Sequence, residues 1–288
     1  MSRSPEQTVQ AAQDWWATSI IKMRPGVIEF AGYPVQDLIG RVSFTQMIWL
    51  LLRGDLPTEG QARLMEQAMV ASVDHGPHAP SIAIARMAIS CGVDLNTAMA
   101  SASNVLGDSH GGAGQQCMEL YGWVRDGLAG GAEMDAAVDA ALDHYVATYG
   151  KIIAGFGHRF HPVDPRSGPL LKLVEDAAAA GIVTGEYAPI GRAVEAALKR
   201  RTGKSIPMNI DGATAVIFAE LGFAPELGRG MFILSRSVGI LAHAWEQKQT
   251  GVRNKGPMPK EIPFTYTGPD QRHPGAAAGP ISSDEDPS

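Results

Sequence analysis

Apolar residues recur at three- and four-residue intervals along nearly the whole chain, while period-two alternation is almost absent, and this periodicity commits the chain to packed helices. Met134, Ala137, Val138, Ala141, Leu142, Tyr145, Val146 and Tyr149 form one such face, and Leu170, Leu171, Val174, Ala177 and Ala178 form another. Start and stop signals divide the pattern. Thr58 and Gln61 are spaced as a capping box, Asp94 precedes the stretch from Leu95, Gly107 follows Leu106, and Pro189 opens a stretch that ends near Gly203. The expected fold is all-α with about ten helices. Only VIEFAGYPV, near residue 30, has the character of a short strand or hairpin. Small residues in TAMASASNVLG let neighbouring helices approach to about 8 Å, which favours a tightly packed bundle.

With 288 residues, 45% of them hydrophobic, the chain can bury a large core as one large domain or two modest ones. A net charge of -6 without a dominant basic run argues against nucleic acid or an anionic membrane as the main partner. The local exception is Lys199, Arg200, Arg201 and Lys204, which suits a phosphorylated small molecule. Cys91 and Cys117 are too few for a disulfide framework and are expected to pack as small, reduced apolar residues in a cytoplasmic setting. MSRSPEQTVQAAQDWW lacks the apolar core of a secretory signal, and the run Met47–Leu52 is far shorter than the roughly 20 residues that span a bilayer. HPGAAAGPISSDEDPS has little that is large and apolar, so 271–288 is expected to be a disordered tail.

Four segments concentrate chemistry. In IPMNIDGATAVIFAELG, Asp211 lies among Ile210, Ala213, Val216 and Ile217, where a carboxylate is costly to bury unless it is paired or its pKa rises. A raised pKa suits proton transfer near neutral pH; a helix N-cap is the plainer role for the same residue. GDSHGGAG places His110 at a glycine-rich helix start, where backbone N–H groups face outward. GFGHRFHPVDPR packs His158, Arg159, His161, Asp164 and Arg166 into one loop, either to brace that loop through Asp164 and Arg166 or to polarise a carbonyl and hold an anion. Arg236 lies in MFILSRSVGILAHAW, apolar on nearly every face, so a buried guanidinium needs a carboxylate partner or a ligand there. The pairs His75/His78 and His158/His161 raise a metal-dependent hydrolase as an alternative; Pro77 and Pro162 break the helix that an i, i+4 ligand pair would occupy, and no metal is needed to explain these residues.

Taken together and in order, DHGPHAP, GDSHGGAG, GFGHRFHPVDPR, IPMNIDGATA and ILSRSVGILAHAWEQK resemble the active-site segments of the citrate synthase superfamily over most of residues 20 to 265. The likeness is to the short citryl-CoA lyase form, because the stretch between LLLRGDLPT and DHG is much reduced. The resemblance implies a large helical domain from 1–112 and 228–270, a smaller helical domain over 113–227, and an active site in the cleft between them. It implies that neutral His110 binds the enolate oxygen of an acetyl thioester, that Asp211 exchanges a proton with its methyl carbon, and that His158 binds the oxaloacetate carbonyl or takes the proton of the citryl hydroxyl. His75, Arg166 and Arg236 would hold substrate carboxylates, and Arg200, Arg201 and Lys204 the phosphates of coenzyme A, which enters as a substrate thioester with no metal or bound cofactor. The family draws a further arginine from a neighbouring subunit, so a homodimer or higher homo-oligomer is implied; here GVRNKGPMP offers Arg253 or Lys255 in that place. The expected activity is cleavage of citryl-CoA or a related 2-hydroxyacyl-CoA to acetyl-CoA and oxaloacetate, with citrate or 2-methylcitrate synthesis as the alternative. Since the chain carries no GxxxxGK[ST] motif, a separate citrate–CoA ligase is a candidate partner.

Overall fold

The computed structural model describes residues 4–159 and 161–273; most of the expected disordered tail, 274–288, lies outside them. The described chain begins with α1 (Pro5–Trp15), then β1 (Ile21–Arg24), β2 (Val27–Phe30) and β3 (Tyr33–Pro34), which pair antiparallel in that order. Ten of the remaining elements are α2 (Val35–Leu38), α3 (Phe44–Arg53), α4 (Glu59–Ser72), α5 (Pro80–Ser90), α6 (Leu95–Ser103), α7 (Ala113–Ala129), α8 (Met134–Tyr149), α9 (Ser167–Ala179), α10 (Tyr187–Thr202) and α11 (Ile210–Glu220), and α12 (Pro225–Gln249) completes the set. The fold is all-α in character, as the periodicity requires, with one small sheet among the described residues and an isolated antiparallel bridge between Phe156 and Met208.

The sequence expectation of a hairpin near residue 30 is met by β2 and β3, but β1 was not anticipated. Its residues are mostly exposed, so burial imposes no alternation on IKMR, and Gly26 at φ 77° closes the turn to β2 in the left-handed region that glycine tolerates. The Thr58/Gln61 capping box forms as expected at the start of α4, and Gly203 ends α10 in the left-handed conformation. Two boundaries differ: α10 begins at Tyr187, ahead of Pro189, and α6 stops at Ser103, four residues short of Gly107. Cys117 is buried, whereas Cys91, expected to pack inside, is exposed at the end of α5.

Buried side chains form two clusters. The larger draws on α3, α4 and α7 to α11 with Met231 of α12, and includes the fully buried Tyr121 and Tyr145. The smaller joins Ile82, Ala85 and Ile89 of α5 to Ala98 and Ala102 of α6 and to Ile240 and Ala244 of α12. The 25-residue α12 thus enters both clusters and ties them together. Among the described residues no helix is long and apolar enough to cross a membrane.

Candidate active site

Six of the side chains singled out in the sequence are delivered to one neighbourhood by five separate elements. His75 comes from the turn after α4, His110 from the turn before α7, His158 and Arg166 from the loop before α9, Asp211 from the first turn of α11, and Arg236 from the middle of α12. The rings of His75 and His158 lie 6.0 Å apart, centroid to centroid. The positive charges of Arg236 and Arg166 bear on both His75 and Asp211, and those of Arg236 and His75 bear on His110, so the six groups share one electrostatic neighbourhood.

His110 is held from behind. The backbone N–H of Ser81, in the first turn of α5, donates to His110 Nε2 at 3.1 Å, and Ser81 Oγ lies 3.0 Å from the same nitrogen. An N–H cannot accept, so the neutral ring carries its proton on Nδ1 and presents a donor on its other edge. Burial, Arg236 and His75 all push the imidazole pKa below its usual value, which keeps His110 neutral. His158 is fixed similarly but with the opposite polarity. The backbone N–H of His161 donates to His158 Nδ1 at 3.1 Å, leaving the proton of the neutral ring on Nε2.

Asp211 lies in the first turn of α11, and the plainer sequence reading, that it caps the helix, is corrected here. The N-cap is Asn209, whose Oδ1 accepts from the N–H of Asp211 at 2.9 Å and of Gly212 at 3.3 Å. With capping done by its neighbour, the Asp211 carboxyl makes no hydrogen bond or ion pair to any other described residue. Burial raises its pKa against the pull of Arg166 and Arg236.

Arg236 is buried, donates from Nε to the Ser72 carbonyl at 3.3 Å and stacks on Phe232 at 4.7 Å. Of the two outcomes that the sequence allowed, a carboxylate partner or a ligand, the first is absent: it forms no ion pair with a described residue. Arg166 differs, because its Nε and one terminal nitrogen grip both oxygens of Asp164 at 2.9 Å. Asp164 also accepts from the backbone N–H of Arg166 and of Ile210, each at 3.0 Å, and these donors hold its carboxyl down at about 2 despite burial. The loop-bracing reading is therefore realised, and it clips the His158 loop to the start of the helix that carries Asp211.

The remaining candidates lie elsewhere. Arg201 is engaged by Asp139 and Asp143 on α8, at 2.9 and 2.7 Å, and Arg200 by Asp135 at 3.3 Å, contacts for which α8 gave no sequence signal. Lys204 has no ion pair among the described residues. Arg253 lines a cavity of about 330 Å³ at the far ends of α5 and α12, and the backbone N–H of Lys255 donates to Ser90 Oγ at 2.8 Å. Ser90 is nine residues along α5 from Ser81, roughly 13 Å from the His110 anchor. His161 stacks near His158 at 4.6 Å, while no group of three or more His, Cys, Asp or Glu among the described residues is arranged to hold a metal. Sequence reasoning missed Ser81, Asn209 and His243, the last bonded to Asp74 beside His75; Ser81 and His243 act across 29 and 169 residues, beyond any local pattern.

The chain as a whole has counterparts among known proteins. The structure is similar to that of citryl-CoA lyase from Hydrogenobacter thermophilus, with a TM-score of 0.77 and 33% identity over 90% of this chain and 96% of that one. The fold also matches ATP citrate lyase from Methanothrix soehngenii, with a TM-score of 0.70 and 20% identity over 93% of this chain and 45% of that one. In sequence, the chain is 29% identical over 228 residues to citrate synthase from Haloferax volcanii, covering 77% of this chain and 56% of that protein. It is 28% identical over 245 residues to ATP-citrate synthase subunit 1 from Sordaria macrospora, covering 76% of this chain and 33% of that protein. The chain thus spans about half, or less, of the length of these two relatives. Residues 58–256, well over half of the chain and holding every side chain of the cluster, match the family described as citrate synthase, C-terminal domain, and the chain belongs to the citrate synthase family.

Proposed function

We propose that this chain cleaves citryl-CoA, or a closely related 2-hydroxyacyl-CoA, to acetyl-CoA and oxaloacetate. The observation that carries this reading is a pair of proton-handling groups within the field of the same arginine, Arg236: a neutral His110 with its free donor on Nδ1, and a partly buried carboxyl, Asp211, whose pKa is raised. As the carbon–carbon bond breaks, the citryl hydroxyl loses its proton and its O–H pair becomes the oxaloacetate carbonyl. The bond pair passes to the thioester as an enolate, whose oxygen His110 Nδ1–H stabilises, and Asp211 delivers a proton to the methylene carbon. His158 as arranged presents Nε2–H, the polarity needed to polarise a carbonyl in the condensation direction. It takes the hydroxyl proton on Nε2 only from the Nδ1–H tautomer, which gives up the 3.1 Å bond to His161.

Arg236, buried and without an ion-pair partner, is the principal carboxylate site, assisted by His75 and by the part of the Arg166 fork that Asp164 leaves open. His75, His110 and Arg236 belong to the 1–112 and 228–270 division, and His158, Arg166 and Asp211 to 113–227, which supports a cleft between two domains. Lys204 is the favoured contact for coenzyme A phosphates, since reaching them with Arg200 or Arg201 means exchanging existing ion pairs with α8. Exposed Leu234, Val238, Leu241 and Trp245 form a stripe along α12 that supports a homodimer, in which Arg253 or Lys255 reaches the partner's site. The proposed setting is cytoplasmic, with a separate citrate–CoA ligase supplying the thioester.

Incubation of the purified chain with citryl-CoA is expected to release acetyl-CoA and oxaloacetate, followed by coupling oxaloacetate to NADH oxidation. Absence of release from folded protein overturns the lyase reading. The second reading, a citrate or 2-methylcitrate synthase, is favoured by the Haloferax relative; it is distinguished by release of free CoA thiol from acyl-CoA plus oxaloacetate.

A further inference from the structure

Behind His75 stands a polar chain that the proposed chemistry does not use. Asp74 accepts from the backbone N–H of Gly76 at 3.1 Å, so its carboxylate shapes the turn that displays His75. His243 of α12 puts Nε2 at 3.2 and 3.3 Å from the two Asp74 oxygens, bonding Oδ2 and leaving Oδ1 buried without a hydrogen bond of its own. On the other side of the ring, a terminal nitrogen of Arg86, on α5, lies 3.0 Å from Nδ1 and also pairs with Glu246. A guanidinium only donates, so Nδ1 accepts and the imidazole proton of neutral His243 must lie on Nε2, toward Asp74. Both His243 and Arg86 are largely enclosed, with side chains 18% and 16% exposed.

The chain of contacts joins the three elements around the carboxylate site: α5, whose first turn anchors His110, α12, which carries Arg236, and the 74–76 turn. The turn is pressed directly onto α12 at Gly239, where any Cβ would collide with the Val73 carbonyl and crowd Asp74. We propose that His243 is a positioning residue: oriented by Arg86, it holds Asp74 and thereby aims His75 at the substrate carboxylate beside Arg236. This inference rests on the carboxylate role given to His75 above. Hydrogen-bonded support of this kind matters because a displacement on the order of 1 Å at a binding group costs up to about a hundredfold.

The test is a mutant cycle on the full chain with citryl-CoA, and with oxaloacetate plus acetyl-CoA in reverse. His243→Ala is expected to raise KM for oxaloacetate about tenfold with kcat and the KM for acetyl-CoA nearly unchanged. His243→Gln, which can still donate to Asp74, is expected to recover most of that loss, and the double variant with His75→Ala to be no worse than His75→Ala alone. Multiplicative losses, or an equal fall in all parameters without rescue by Gln, would overturn the positioning role. Should the wild type turn over neither substrate set, the functional reading fails while nitrogen NMR of the histidine rings still decides this one. An Nε2–H tautomer at His243, with His75 resonances displaced in His243→Ala and near their wild-type positions in His243→Gln, supports it; an Nδ1–H tautomer or His75 resonances unmoved in His243→Ala refute it.

Discussion

At the scale of single residues, Asp211 carries opposite demands from folding and chemistry. Burial raises its folded pKa above the ordinary aspartate value, so the fold binds the proton more tightly than the unfolded chain does. The stability linked to that proton is fully present below about pH 4 and is lost as pH rises through the raised folded value. Asp211→Asn, which cannot ionise, is therefore expected to lower turnover by at least about a hundredfold while melting above the wild type at pH 8. Thermal unfolding at pH 5 and pH 8 checks the sign: the advantage of the variant should widen with pH, and a variant less stable than the wild type at pH 8 contradicts burial as the dominant cause. His110 has the complementary setting, kept neutral by the α5 backbone and by nearby positive charge.

At the scale of elements, the junction between the 157–166 loop and α11 depends on Asp164. Its two oxygens accept from the Arg166 fork and from two backbone N–H groups, one of them at the start of α11. Asp164→Asn removes the buried half of a pair whose arginine is partly exposed and is expected to destabilise the fold by about 2 kcal/mol, read as a lower urea midpoint. Because the wild-type carboxyl is held down at about 2, below the ordinary aspartate value, its contribution is present above about pH 4 and fades toward about pH 2, so the difference between the two proteins should narrow over that interval. Equal urea midpoints at pH 7 would show that the clip contributes nothing. The same junction explains which features were legible in the sequence. Thr58 and Gln61 are three residues apart, and their capping box is a local pattern that forms wherever the helix does. Around α11, Asn209 and Asp211 both have capping chemistry, and only the backbone geometry assigns the cap to Asn209 and releases Asp211. The pairing of Arg200 and Arg201 with α8 was hidden for another reason: it requires knowing that α8 and α10 lie side by side. The cluster of His110, His158, Asp211 and Arg236 was legible because each member violates its own surroundings, as a charge in an apolar helix or an imidazole between glycines.

At the scale of the whole molecule, α12 has two working faces. Arg236 turns inward to the cluster, while Leu234, Val238, Leu241 and Trp245 remain 41–59% exposed on the outside, spaced as one helical stripe. A stripe of this kind fits the apolar centre of a twofold interface. Val238→Glu combined with Leu234→Glu is expected to shift the protein to monomer in sedimentation velocity and to depress turnover, because Arg253 or Lys255 would no longer reach a partner's site. A wild type that already sediments as a monomer, or a monomeric variant with undiminished turnover, rules out the trans contribution. A helix of 25 residues is about 37 Å long. Its inner and outer residues hang from one ladder of backbone hydrogen bonds, so a tilt that tightens Arg236 on a carboxylate also swings Leu234 and Val238 against whatever covers them. On the proposed function, substrate grip and subunit grip are in that sense two readings of a single lever.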